Sequence, residues 1–128
     1  MSFSDQEVCI VDDDASVRIA VSSLVRSLGL RARLFASAEE FLAAGCVPGL
    51  VISDVQMPGI SGIELLELLR ARADQVPFIV ITAFLQDAVQ GRAARAGAAC
   101  VLGKPFRADA LIGCIERALA EDTGHTHV

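Results

Sequence analysis

Four short apolar runs in this chain each lead to residues able to do polar chemistry. Val8-Cys9-Ile10-Val11 runs into Asp12 and Asp13, Leu50-Val51-Ile52-Ser53 into Asp54, Phe78-Ile79-Val80-Ile81 into Thr82, and Ala99 to Leu102 toward Lys104. Singly, such residues are ordinary: aspartates cap helices, threonines end strands and a Lys-Pro pair marks a turn. Gathered at one edge of a sheet they gain a different meaning. Crowded carboxylates repel one another, which raises some of their pKa values unless a cation sits among them. Mg2+ suits such a gap, because it binds through one or two carboxylates and leaves its other positions to water and phosphate. The Thr82 hydroxyl and the Lys104 ammonium would then face the remaining oxygens of a phosphoryl group. Positioning and charge neutralisation are most of what phosphoryl transfer asks of a protein.

The elements around these residues can place them so. The runs at 8–11, 50–53 and 78–81 are apolar throughout, as strands covered on both faces are. Leu30 to Phe35 alternates apolar residues with Arg31 and Arg33, the pattern of a half-covered edge strand. A fifth strand is read at 99–102. Between them lie helical signals. Asp14 suits an N-cap ahead of the stripe Val17, Val21, Leu24 and Leu28, closed by Gly29. Ser37-Ala38-Glu39-Glu40 has the form of a capping box, with Gly45 ending the helix it opens. Pro58-Gly59 precedes a strongly apolar helix reaching about Ala73, with Ile63, Leu65, Leu66, Leu68 and Leu69. The helix over 86–96 is weak: its apolar residues are mostly alanines, and Gly91 costs it ~1 kcal/mol relative to alanine. Leu111, Ile115, Ala118 and Leu119 give the last helix, and residues 122–128 are expected to form a frayed tail. Alternating strands and helices demand a doubly wound α/β domain with a parallel sheet and right-handed crossovers. An edge strand at 30–35 gives the flavodoxin-like strand order 2-1-3-4-5, which brings the carboxyl ends bearing Asp12, Asp13, Asp54, Thr82 and Lys104 together.

Composition narrows the function further. The 128 residues, 53% of them hydrophobic, predict a single domain over 1–128 with its core at about 7–121, large enough to need no disulfide or structural metal. A net charge of -5, with no like-charge block beyond Asp12-Asp13-Asp14, argues against direct nucleic-acid binding. Cys9, Cys46, Cys100 and Cys114 lack Cys-x-x-Cys spacing, so they read as free thiols in a reducing cytoplasm. No apolar run approaches the ~18 residues of a membrane span, and the polar opening lacks the regions of a signal peptide.

Taken together, Ile10-Val11-Asp12-Asp13-Asp14, Ser53-Asp54-Val55-Gln56-Met57-Pro58-Gly59, Val80-Ile81-Thr82-Ala83 and Gly103-Lys104-Pro105-Phe106 resemble the signatures of the receiver domains of two-component response regulators, in identity, order and spacing. The resemblance covers about Glu7 to Glu121. It implies that Asp54 is the phosphoacceptor, taking a phosphoryl group from a sensor histidine kinase or a histidine phosphotransfer protein. It further implies that Asp13 binds Mg2+ directly, Asp12 mainly through water and Gln56 through its main-chain carbonyl. Thr82 and Lys104 would contact the phosphoryl oxygens, with a cis Lys104-Pro105 bond aiming the lysine. The signal would pass to an output domain or target protein, with phosphorylation-dependent homodimerisation as a further outcome. One departure stands out. Many receivers carry Tyr or Phe three residues before the lysine, as a rotamer switch coupled to the threonine; here that residue is Val101.

Three rival readings are weaker. Asp12-Asp13-Asp14-Ala15-Ser16 contains the Asp-x-Asp-x-Ser pattern that opens haloacid-dehalogenase-type phosphatases, but the length leaves no room for their further segments. A flavodoxin would place a Ser/Thr-rich phosphate loop where this chain has three aspartates. A binding module that ignores phosphorylation would not need the full Asp, Thr and Lys set. Among lesser features, Ile19 falls off the first helix's apolar stripe, Phe106 suits packing or partner contact equally, and His125 and His127 read as solvated.

Overall fold

The computed structural model describes residues 6–125, and of residues 121–125 the backbone alone. The chain runs β1 (Glu7–Val11), α1 (Ala15–Ser27), β2 (Arg31–Phe35), α2 (Ala38–Ala44), β3 (Leu50–Asp54), α3 (Gly62–Ala71), β4 (Phe78–Thr82), α4 (Asp87–Arg95), β5 (Cys100–Gly103) and α5 (Ala108–His125). The strands form one parallel sheet in the order β2-β1-β3-β4-β5. This is the flavodoxin-like α/β fold that the strand pattern predicts.

The apolar runs are explained by what covers them. Successive strand residues point to opposite faces, so each central strand feeds two cores. Val8, Ile10, Leu50, Ile52, Ile79 and Ile81 pack with Val21 and Val25 of α1 and Leu111, Ile115 and Leu119 of α5. Cys9, Val11, Val51, Phe78 and Val80 pack with Phe41 of α2, Leu65 and Leu66 of α3 and Ala93 of α4. All five residues of β3 and of β4 are buried. At the edge, β2 buries Phe35 while Arg31, Arg33 and Leu34 are exposed.

One local expectation needs correction and others gain detail. In α1 the buried residues are Val21, Ser22 and Val25, with Val17, Leu24 and Leu28 only half-buried. All three half-buried residues pack against the same core as Val21, so the expected stripe faces the sheet and Ser22 and Val25 widen it. Ser37 caps α2 by accepting from the Glu40 amide, but the Glu40 carboxylate accepts from Ala36 N at 3.2 Å instead of from Ser37, so the box does not close. A closed box lies at α3, where Ser61 Oγ accepts from Glu64 N at 3.1 Å and Glu64 Oε1 accepts from Ser61 N at 2.9 Å. Helix α5 runs to His125, so the tail expected over 122–128 begins within its last turns. His127 and the last residues of that tail lie outside the described residues, as does the side chain of His125. Among the described residues, no helix is long and apolar enough to cross a membrane.

Candidate functional site

Strand register puts the polar ends side by side. Val11 pairs with Ser53 and Asp54 with Ile81, so Asp12 and Asp54 leave adjacent strands at the same level, and Thr82 pairs with Gly103 just before Lys104. Asp54 closes β3 and is 5% exposed; Asp12 follows β1 and is 2% exposed. The loop after Asp54 is pinned by Val55 N donating to Ile81 O at 2.9 Å and Gly62 N donating to Val55 O at 3.1 Å. Asp12 is held on both oxygens. Its Oδ1 accepts from Asp14 N at 2.9 Å and its Oδ2 from Lys104 Nζ at 3.3 Å. Lys104 reaches in from β5, its amide donating to Thr82 O at 2.7 Å and its bond to Pro105 being cis, as the motif implies. Asp13 is exposed, and among the described residues no hydrogen bond or ion pair engages it.

Carboxylate oxygens of Asp12, Asp13 and Asp54 lie within 4.8 Å of one another. Opposed oxygens around an octahedral Mg2+ stand about 4.2 Å apart, so this set fits such an ion with little closure. A second observation points the same way. Asp54 Oδ1 is buried and has no hydrogen-bond partner. Lys104 Nζ stands 3.4 Å from it, near enough for attraction between charges but not aligned as a hydrogen bond. Burial, then the neighbouring Asp12 charge, pushes the Asp54 carboxyl up to about 6, against the pull of Lys104. For Lys104, burial disfavours the charge, but Asp54 and Asp12 more than offset it and hold its pKa above the ordinary lysine value. The site is thus one ammonium among three carboxylates, short of positive charge.

Residues 8–116 match the profile of the response regulator receiver domain. The chain belongs to that family. It is 42% identical over 124 residues to the response regulator protein TmoT of Ectopseudomonas mendocina, covering 91% of this chain and 54% of that protein. Against the transcriptional regulatory protein FixJ of Bradyrhizobium diazoefficiens it is 37% identical over 116 residues, covering 89% of this chain and 57% of that protein. Among solved structures, the response regulator StyR aligns at 38% identity with a TM-score of 0.85, over 95% of this chain and 63% of that one. The chain spans about half the length of the curated relatives it matches. The phosphatase and flavodoxin readings fall with this membership.

The receiver's site also holds contacts that the sequence did not announce. Thr82 Oγ1 lies 3.1 Å from Gln56 Oε1 and 3.3 Å from Phe84 O, while accepting from Phe84 N at 3.0 Å. Gln56, singled out for its main-chain carbonyl, thus also meets Thr82 through its side chain, a pairing across 26 positions with no local signature. Arg18 of α1 donates from Nη1 to the Asp12 carbonyl and braces the acidic loop. Val101 packs half-buried against the core shared with α2, α3 and α4. Phe106 packs half-buried against the opposite core. Ile19, Phe84 and Leu85 are exposed at 63%, 59% and 50%.

Proposed function

We propose that this receiver domain accepts a phosphoryl group on Asp54, in a Mg2+-dependent reaction, from a phosphohistidine of a sensor kinase or phosphotransfer protein. The observation that carries this reading is the Asp54 carboxylate: buried, with Oδ1 unpartnered, between two further carboxylates and Lys104. Without the ion the carboxyl is held up to about 6 by burial and Asp12, and a bound cation would favour the ionised form that attacks. An Asp54 oxygen attacks phosphorus, the P–N bond breaks, its electron pair returns to the imidazole, and Asp54 becomes an acyl phosphate. Lys104 and the Thr82 hydroxyl bind the transferred oxygens through charge-assisted hydrogen bonds. Asp13, Asp12, Asp54 and the Gln56 carbonyl would hold Mg2+, with Asp13, unengaged by other groups, as the direct ligand and Asp12, already tied on both oxygens, acting through water. When bound, the ion supplies the positive charge that the carboxylates lack. The same residues assist hydrolysis of the acyl phosphate, so the domain catalyses its own phosphorylation and dephosphorylation without being a conventional enzyme.

The signal then leaves by a changed protein-binding surface. The matched relatives include transcriptional regulatory proteins, and we place this domain as the cytoplasmic receiver unit of such a regulator or as a partner of a separate target. A phosphorylation-dependent homodimer is a further route for output.

Mass spectrometry after incubation with acetyl phosphate and Mg2+ tests the chemistry. One added phosphoryl group is expected, lost when Mg2+ is chelated and lost in Asp54→Ala. An undiminished adduct in Asp54→Ala would falsify the assignment.

A further inference from the structure

The sheet face away from α1 and α5 holds a pair of sulfurs that phosphoryl transfer does not use. Cys9 sits in the middle of β1, fully buried, and Cys46 follows Gly45, whose left-handed backbone ends α2 and turns the chain back toward the sheet. Their Sγ atoms are 3.5 Å apart across 37 positions of sequence, a thiol–thiol hydrogen bond in the reduced protein. A disulfide needs about 2.05 Å, so the sulfurs must close by ~1.5 Å. Two features make that feasible. Cys46 lies in a loop bounded by Gly45 and Gly49, with Val47 between them 94% exposed, so the movable partner is the one in the loop. Cys46 is also half-buried whereas Cys9 is sealed, so oxidant arrives at one sulfur only.

We infer that Cys9 and Cys46 are a redox modification site, joined as an intramolecular disulfide when hydrogen peroxide reaches Cys46. Cys46 Sγ attacks the peroxide, the O–O bond breaks, and water leaves as Cys46 becomes a sulfenic acid. Cys9 Sγ then attacks that sulfur, the S–O bond breaks, and the departing hydroxide takes the Cys9 proton as a second water. Two thiols are oxidised by two electrons in all and one peroxide is reduced to two waters. Burial, with the neighbouring Cys46, pushes the Cys9 thiol well above the ordinary thiol range, which fits its part as the second and slower reactant. The bond ties β1, which leads to Asp12, to the loop entering β3, which leads to Asp54. In a reducing compartment such a link is transient, the form in which intracellular disulfides report oxidation.

Cys100 and Cys114 are the internal comparison: both touch Arg117 Nη2, on the opposite face of the sheet. Reduced protein is treated with hydrogen peroxide, remaining thiols are alkylated, and the digest is mapped by mass spectrometry. Expected is one linked pair of peptides carrying Cys9 and Cys46, a monomer lighter by two hydrogen atoms, and full reversal by dithiothreitol. Cys46→Ser should abolish the link and leave Cys9 unoxidised, while Cys9→Ala should leave a sulfenic acid at Cys46 that dimedone traps. A wild-type Cys46 that proceeds to sulfinic acid unlinked, a link to Cys100 or Cys114, or a link between two chains overturns the proposal.

Discussion

The two helices flanking the site on one face of the sheet are held in different ways. Helix α3, which follows Asp54, buries Gly62, Ile63, Leu65, Leu66 and Leu69 and opens on a closed capping box. Helix α4, which follows Thr82, buries Ala93 alone, and its N-cap Gln86 makes no side-chain cap bond. What holds α4 lies toward its far end. Arg70 of α3 donates to Ala96 O at 3.0 Å and Gly97 O at 3.3 Å, and Arg92 forms a two-point ion pair with Glu67 at 2.7 and 2.8 Å. The ion pair is about half exposed and contributes little, while the burial on α3 is worth several kcal/mol. One side of the site is therefore built to stay still beneath the buried Asp54 carboxylate. The other is anchored at its C-terminal end and loose where it meets Thr82.

The largest effect should come from disturbing the still side. A Cβ added at Gly62 would stand 2.0 Å from the Asp54 carbonyl oxygen and 2.8 Å from its carbon, which are backbone atoms and cannot step aside. Gly62→Ala is expected to lower stability by about 3 kcal/mol or more, as overpacking against a fixed strand does. Urea denaturation reads this directly. A loss below ~0.5 kcal/mol would mean that α3 shifts as easily as α4, and the contrast between them would fail.

A smaller effect follows from the charge that the still side buries. The folded Asp54 carboxyl titrates at about 6 against an ordinary 3.8. The folded chain thus holds this proton more tightly than the unfolded chain, so the associated stability is present in full below about pH 4 and lost as pH rises through about 6. Asp54→Asn removes the burial cost of the charge and keeps the Lys104–Asp12 pair. In metal-free buffer it should be more stable than wild type by roughly 2 kcal/mol at about pH 8, with the gain vanishing near pH 4. A gain independent of pH would show that shape, not charge, sets the strain at Asp54.

The elements of this comparison were legible in the sequence and the side-chain contacts between them were not, for a physical reason. Continuous apolar runs mark β1, β3 and β4 because both faces of those strands are covered, and the register of a parallel sheet then brings Asp12 beside Asp54. The weakness of α4 was also visible, in Gly91 and its alanines. Side-chain pairs between elements leave no such trace. Gln56 with Thr82, Arg70 with Ala96 and Gly97, and Cys9 with Cys46 depend on how loops close, and any of these residues could as well face water. Even the capping boxes show the limit. Ser37-x-x-Glu40 and Ser61-x-x-Glu64 share a pattern, and only backbone geometry decides which glutamate returns to its cap.

The smallest energetic change tests the loose side. Phosphorylation at Asp54 should draw the Thr82 hydroxyl from Gln56 Oε1 to a charged phosphoryl oxygen, the stronger acceptor. That movement also breaks the contacts of Thr82 Oγ1 with Phe84, so the loop bearing exposed Phe84 and Leu85 must adjust. Val101, stiff and small, cannot swing into the vacated space as an aromatic ring would. The displacement therefore passes into the uncapped start of α4 and is stopped by the Arg70 clamp at Ala96 and Gly97. With beryllofluoride and Mg2+, hydrogen exchange should change mainly within 83–97, and most strongly in its first half. Gly91→Ala has room, since the added Cβ would meet only the movable end of Arg95 at 3.3 Å, and it should stiffen α4 by about 1 kcal/mol and damp the response. Arg70→Met should do the reverse and let the change spread through residue 97. Protection changes centred on 100–119, or a response indifferent to Gly91→Ala, would mean that the signal leaves through β5 and α5 and that the looseness of α4 has no part in it.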